Sequence, residues 1–183
     1  MDRLGVELPV TFSDGNAGPF GVVLQPLWPT GLGISVDAGL VTGGGFISLD
    51  PQAGRYSGVV VLDLFGVGIT VVGVLDTLDA TGAPLPPPGF SFLLIVDADL
   101  PPIQLGFGFT LNGAGALAAV NRRLDSPALL DGVRAGTLDS IMFPADPVRD
   151  APRIVSDTGD IFPVSTGRYV FGPMTVIGWA PPP

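Results

Sequence analysis

The chain has 183 residues, a formal net charge of −9 and charged side chains at only 14% of its positions. It contains neither Cys nor His, which excludes disulfide and thiol chemistry and removes the side chain that most often acts as a catalytic base near neutral pH. An acidic chain with eight basic residues is also a poor partner for nucleic acid. We therefore predict no enzyme activity, no catalytic, cofactor-binding or metal-binding residues, and no nucleic-acid partner.

Short apolar segments separated by turn residues run through the first 120 residues. They are rich in Val, Ile, Leu and Phe, which is typical of antiparallel strands, and they lie at 6–12, 20–27, 33–40, 46–49, 55–65, 67–75, 90–97 and 103–111.

Glycine and proline predict where these strands reverse. A hairpin turn is expected at 50–54, because Pro51 presets φ and Gly54 accepts a positive φ. The glycines at 66–68 predict a second reversal, and those at 43–45 a flexible turn. Residues 83–89, APLPPPG, predict a stiff polyproline connection.

Residues 57–75, SGVVVLDLFGVGITVVGVL, are apolar at both odd and even positions, and Asp63 is their only charge. A strand with one face in water alternates apolar and polar residues, so both faces of this run are expected to be covered. The covering material is protein or lipid. The candidate residues for this apolar surface are Val59, Val60, Val61, Leu62, Leu64, Phe65, Ile69, Val71, Phe92, Leu94, Ile95, Phe107 and Phe109.

The composition changes after residue 120. Ser126 is expected to cap a helix over 128–134 that begins at a proline. A second helix is predicted from Pro147, and Pro152 is expected to shorten or split it. Residues 171–179 predict a closing strand, and the proline-rich end that follows is typical of a linker.

Three groups of residues invite a chemical interpretation. Residues 112–118 contain the pattern GxGxxA. A dinucleotide site also requires a helix that begins at these glycines and an acidic residue at the end of the next strand. The sequence after residue 118 fits neither requirement, so a glycine-rich strand is favoured. Asp97 and Asp99 share a strand face and offer oxygens to Ca²⁺, but such a site needs six to eight ligands, so solvated acids are favoured. Arg122 and the later arginines are interpreted as structural partners of carboxylates, and the alternative is a clamp for a lipid head group or a partner.

Several segments, GGFISLDPQAGRY, PPIQLGFGFTLNGAGALAAVNR, LLDGVRAGTLDSIMFPADPVRDAPRIV and GRYVFGPMTVIGW, resemble a module of very large, β-rich bacterial proteins of an uncharacterised family. The resemblance covers most of residues 40–180. It implies that the module continues into further β sequence, and it implies no site residues because the family has no established activity.

We predict a mainly β protein: an extended or curled antiparallel sheet with a small helical and loop subdomain near the C-terminus. An apolar, glycine-rich β region is expected over 1–120, and short helices, loops and a closing strand over 121–183, within one integrated domain. The leading functional hypothesis is a non-enzymatic module whose apolar face or groove binds lipid or another apolar ligand.

The alternative is a structural module for self-assembly or interaction, whose sheet is covered by other protein chains. A homo-oligomer or a larger β assembly is expected in that case. No cofactor is predicted, and neither a signal peptide nor a transmembrane helix is visible in the sequence.

Overall fold

A computed structural model shows a mainly β fold with antiparallel strands, which confirms the predicted fold class. It describes residues 5–7, 9–11, 21–22, 25–27, 31–38, 40–137, 141 and 147–179. The elements within these residues are β1 (Gly5–Glu7), β2 (Val10–Thr11), β3 (Gly21–Val22), β4 (Gln25–Leu27), β5 (Gly31–Asp37), β6 (Val41–Asp50), β7 (Arg55–Leu64), β8 (Val67–Asp76), β9 (Ser91–Gly106), β10 (Phe109–Arg122), α1 (Ser126–Ala135), α2 (Pro147–Ile161) and β11 (Val164–Trp179).

The strands from β5 to β11 form one seven-stranded sheet in which each strand pairs with its neighbours in the sequence. Every pairing is antiparallel, so the sheet is a meander whose connections alternate between its two ends. The short strands β1 and β4 pair with each other, as do β2 and β3. The other parts of the strands predicted at 6–12 and 20–27, and the proline-rich end, lie outside the described residues.

Two predicted reversals are present. The turn from β6 to β7 has Gly54 at φ 61°, and Asp50 Oδ1 accepts a hydrogen bond of 2.9 Å from the backbone N–H of Ala53. The turn from β7 to β8 comes one residue earlier than predicted, at Phe65 and Gly66, which have φ of 56° and 82°. Two successive positive φ values match the twist of the paired strands, which explains why this two-residue turn is stable.

The predicted turn at 43–45 is wrong, because these glycines lie inside β6. A Cβ atom at Gly45 would stand 2.7 Å from the carbonyl oxygen of Val59, and one at Gly43 would overlap the carbonyl oxygen of Val61. These glycines therefore allow the close approach of β7 and do not reverse the chain.

The segment predicted as one strand at 103–111 is also wrong. The chain reverses within it at Phe107 and Gly108, between β9 and β10. The glycine-rich residues 112–118 form part of β10, as the favoured interpretation predicts.

Both helices differ from prediction in detail. The cap of α1 is Asp125, whose Oδ1 accepts from the N–H of Ala128 at 3.2 Å, and Ser126 is already helical. Helix α2 is not split at Pro152 and continues to Ile161. The exposed ring of Pro152 costs the helix one N–H donor, while Ile154 and other buried residues on the opposite side anchor it to the sheet.

The hydrophobic core lies between one face of the sheet and the helical segment. Helix α2 packs across β6, β7 and β8. The buried core residues include Val59, Val72, Leu93, Ile95 and Leu117 from the strands, and Ile141, Ala151, Ile154, Ile161 and Phe162 from the helical side. We call this covered side the inner face and the opposite side the outer face.

Candidate apolar binding face

The pairing register assigns each strand residue to one face. The outer face comprises the odd-numbered residues 41–49 of β6, the even-numbered 56–64 of β7, the odd-numbered 67–75 of β8, the even-numbered 92–98 of β9, the even-numbered 114–120 of β10 and the odd-numbered 169–175 of β11. None of these positions holds a charged residue. All charged residues of β6 to β9 stand on the inner face: Asp50, Arg55, Asp63, Asp76, Asp97 and Asp99.

The two faces also differ in their exposure to solvent. On the inner face Val59, Val72, Leu93 and Ile95 are 0% exposed. The outer residues of β7, β8 and β9 are all half-buried, because their flanks are covered only by neighbours on the same face. In the described part of the chain, no helix or strand packs over the outer face. A contiguous apolar surface of this kind is rare on soluble monomers.

The structure divides the apolar residues singled out from the sequence. Seven of them lie on the outer face: Val60, Leu62, Leu64, Ile69, Val71, Phe92 and Leu94. Three lie on the inner face, and of these Val59 and Ile95 belong to the core, while Val61 is half-buried. Phe65 and Phe107 occupy hairpin turns, and Phe109 begins β10.

A row of small residues crosses the outer face along β10. Ala118 pairs with Leu94 on one side and with Phe171 on the other, and Ala116 pairs with Val96 and Pro173. The larger side chains rise above the alanines, and Phe171 is 75% exposed. Ala114, next in the row, pairs with Ala98 and Thr175, so larger apolar neighbours flank the row only at Ala116 and Ala118; we call the row from Ala114 to Ala118 the alanine lane.

Sequence reasoning missed the alanine lane because alanines carry little apolar signal by themselves. Their alternation with Gly115, Leu117 and Ala119 predicts only a strand. The cross-strand partners that wall the lane come from β9 and β11, and β11 lies about 55 residues later in the sequence.

The strands β9, β10 and β11 extend beyond the rest of the sheet. The pairing of β9 with β8 ends at Asp99, and β9 continues for seven residues to Gly106. We call residues 100–112 and 175–179 the arm. They contain no charged residue, and the large apolar side chains that they expose are Ile103, Leu105, Phe107, Phe109, Ile177 and Trp179.

Comparison with known protein families gives a match that covers residues 1–181. The chain belongs to DUF6603, a family of unknown function. Neither the comparison with curated proteins nor the comparison with solved structures gave a match. Membership of DUF6603 agrees with the resemblance to an uncharacterised family and assigns no activity to any residue.

The inner face of this DUF6603 chain contains a buried ion-pair cluster. Asp76 accepts from Arg55 Nε at 2.7 Å and also bonds Arg122, whose Nη1 donates to the carbonyl oxygen of Phe162 at 2.8 Å. Burial lowers the pKa of Arg122, and the nearby charge of Asp76 opposes this shift. These contacts tie β7, β8 and β10 to the end of α2, which supports the structural role expected for Arg122.

A cleft of about 790 Å³ lies beside this cluster, with Arg55, Arg122, Asp76 and Asp79 among its lining residues. The two cations and two carboxylates balance each other, and Asp79 already accepts hydrogen bonds from Thr81 and Ala83. The cleft therefore offers no excess charge with which to recognise an anion or a cation.

Asp97 is buried on the inner face of β9, so the interpretation of this residue as a solvated acid is wrong, because its side chain points to the face that the helical segment covers. Burial and the neighbouring charge of Asp99 raise its pKa from 3.8 to about 7, while a hydrogen bond with Thr70 opposes the shift. Its Oδ1 atom has no hydrogen-bond partner. Asp99 is exposed, and the described residues bring no third acidic side chain to the pair that could complete a metal site.

In the part of the chain that the structure describes, neither helix has the length and apolar character needed to cross a bilayer. The apolar surfaces that the described residues expose include the outer face and the arm.

Proposed function

We propose that this DUF6603 chain is a non-enzymatic binding module that holds an extended apolar ligand, such as a lipid acyl chain, on the outer face of its sheet. The observation that carries this proposal is the segregation of charge. Every charged residue of β6 to β9 is on the inner face, and the outer face has none. Unpaired charges are costly to bury under hydrocarbon, so a face without them is suited to an apolar ligand.

The shape of the alanine lane supports a linear ligand. From Ala114 to Ala118 the lane extends roughly 14 Å along the strand, at about 3.4 Å per residue. Leu94 and Val96 form one wall, and Phe171 with its neighbours forms the other. A hydrocarbon chain in the lane would contact apolar side chains on both flanks as well as below.

The charge of the chain restricts the head group of such a ligand. At a net charge of −9, the chain repels anionic groups at long range. We therefore expect ligands with neutral or zwitterionic head groups, and we expect their binding to depend little on salt.

The test is lipid extraction and native mass spectrometry of the purified chain. We expect co-purified lipid on the wild type and its loss in Ala116→Phe, which fills the lane. Gly73→Leu is the matched control, because it adds bulk to the outer face two strands away, where an added Cβ meets open space. A wild-type monomer that carries no lipid contradicts the proposal.

A second candidate is a protein partner that covers the same face, and the dimensions of the sheet favour it. Six strands spaced at about 4.8 Å and eight residues at about 3.3 Å give a face of roughly 750 Å². A standard protein interface buries about 800 Å² per partner. Light scattering separates the candidates, because a defined oligomer free of lipid supports a protein partner.

We further propose that the chain is one module of a very large β-rich bacterial protein. The resemblance of residues 101–179 to such modules supports this assignment. An antibody raised against the purified chain should then detect a polypeptide far larger than 18.7 kDa in extracts of the native source. A band at the mass of the isolated chain contradicts it.

A further inference from the structure

The arm differs from the rest of the sheet because it lacks charge on both faces. The last charged residue before it on β9 is Asp99, and β10 has none until Arg122. At its tip Phe107 is 97% exposed, and Trp179 on the adjacent strand is 65% exposed. The ring of Phe109 contacts that of Trp179 edge to face, with centroids 4.9 Å apart. The tip is therefore a small aromatic cluster in contact with solvent.

The backbone of the tip indicates that this exposure is not a by-product of packing. Phe107 has φ 52° and precedes Gly108 at φ 82°. Positive φ is unfavourable for a bulky side chain, and Asn or Gly is the usual residue at such a turn position. Since the Phe107 side chain is almost wholly exposed, it gains nothing within the chain that offsets this strain. Its contribution is expected to come from a contact outside the chain.

The neighbouring reversals repeat this pattern. The turns β5–β6, β7–β8 and β9–β10 all lie at the same end of the meander. Each presents an exposed apolar side chain, namely Leu40, Phe65 and Phe107. The β6–β7 connection at the opposite end is polar, with Asp50 and Gln52. Exposed acids flank the first two of these turns, because Asp37 ends β5 and Asp63 accepts a hydrogen bond from the N–H of Gly66, so among the three only the β9–β10 turn is free of charge.

The chemistry of the tip of the arm matches that of the boundary between the head groups and the acyl chains of a bilayer. Tryptophan is favoured at that depth, Phe and Leu are among the side chains that interfacial segments bury there, and an uncharged tip avoids the cost of burying charge. Among the described strands, β9 has no partner on one edge beyond Asp99, and β11 is the edge of the sheet, so these edges are too open to cross the hydrocarbon. Unpaired backbone groups must stay hydrated, so the arm can enter only the interface.

We infer that the arm docks on the surface of an uncharged lipid bilayer, with Phe107 and Trp179 at the interface. Docking places the end of the alanine lane near Ala114 toward the membrane, from which an acyl chain can reach the outer face. The use of the lane rests on the proposed function, whereas docking by the arm stands on the residues of the arm alone.

The experiment uses vesicles of phosphatidylcholine and the fluorescence of Trp179. The sequence has one other tryptophan, Trp28, so Trp28→Phe leaves a single reporter on the arm. We expect a blue shift of its emission on addition of vesicles, together with sedimentation of the protein with them. Phosphatidylserine in the vesicles should weaken binding, because the chain carries a net charge of −9.

Phe107→Ser should lower the affinity for these vesicles about tenfold or more, because one aromatic side chain no longer leaves water on docking. Leu130→Ser is the matched control: Leu130 is 54% exposed on α1, outside the arm, and its replacement should leave binding unchanged. Both side chains are on the surface, so circular dichroism should show both variants folded.

Absence of a blue shift, or equal binding by the two serine variants, overturns the inference. A lipid-free dimer that Phe107→Ser dissociates also overturns it, since the tip then contacts a second copy. Ala116→Phe separates this inference from the proposed function. If it retains its co-purified lipid while Phe107→Ser loses vesicle binding, the docking arm stands and the lipid-binding lane does not.

Discussion

The inner and outer faces of the sheet are built from the same strands and differ at every alternate residue. Val59 is fully buried beneath α2, whereas the next residue, Val60, keeps part of its surface in water. The inner face combines apolar packing with buried charges that have partners, such as Asp76. The outer face has no charged residue, and within the described residues no helix or strand packs over it. The two faces differ because the apolar residues of the inner face build the core, whereas those of the outer face lie where no described helix or strand packs over them.

The largest effect is expected at the ion-pair cluster of the inner face. Asp76→Asn leaves the buried guanidinium of Arg122 without its carboxylate, and breaking a buried pair in this way costs about 3–5 kcal/mol. Asp131→Asn breaks the exposed pair with Arg134 and should change stability little. Urea unfolding of both variants provides the measurement, and equal midpoints would show that the cluster does not stabilise the fold.

A second pair of substitutions compares the faces directly. Ile95→Ala opens a cavity in the core and should lower the free energy of unfolding by about 2–5 kcal/mol. Leu94→Ala, one residue away on the outer face, should cost much less in lipid-free protein because Leu94 is only half-buried. Thermal unfolding of the delipidated variants checks this difference. Equal losses would mean that something covers the outer face even without lipid.

The raised pKa of Asp97 predicts how stability changes with pH. The pKa of Asp97 in the folded chain, about 7, lies above the ordinary value of 3.8. The contribution of Asp97 to stability is therefore complete below pH 4 and is lost as the pH rises from there through 7. Asp97→Asn should remove this loss. We expect a gain of about 1 kcal/mol at pH 8, or about 2–4 °C in Tm, and no gain at pH 4.

The control for this prediction is Asp99→Asn. It removes only the smaller of the two causes, since burial has the larger influence on the pKa of Asp97. Its gain at pH 8 should therefore be smaller than that of Asp97→Asn. If the Tm of the wild type were equal at pH 5 and pH 8, the assignment of a pKa of about 7 to Asp97 would be contradicted.

The smallest expected effect compares two glycines of the sheet. An alanine Cβ at Gly73 meets open space, so Gly73→Ala should stabilise the strand by about 0.5–1 kcal/mol through the lower entropy of the unfolded chain. At Gly45 the same change brings Cβ to 2.7 Å from the carbonyl oxygen of Val59 and should destabilise the sheet. Opposite signs in urea unfolding are the expected result; equal signs would refute the close approach at Gly45.

Much of the fold could be predicted from local patterns. The β-branched segments, the turn at Gly54 and the helix before Gly136 all depend on properties of a few neighbouring residues. Two of the failures share one cause. Gly43 is a strand residue because of β7, and Pro152 is tolerated because α2 is anchored on the sheet, so distant contacts decided both.

The sequence by itself determined that this chain is a β protein with more apolar residues than one core requires. The composition indicates this, and so does the run at 57–75, which is apolar at both odd and even positions whichever way the strands pair. Only the tertiary structure decided which side of that run is covered. Side chains alternate with a period of two, so the face of each valine follows from strand pairing and from the position of α2. The alanine lane and the arm likewise exist only once β9, β10 and β11 lie side by side.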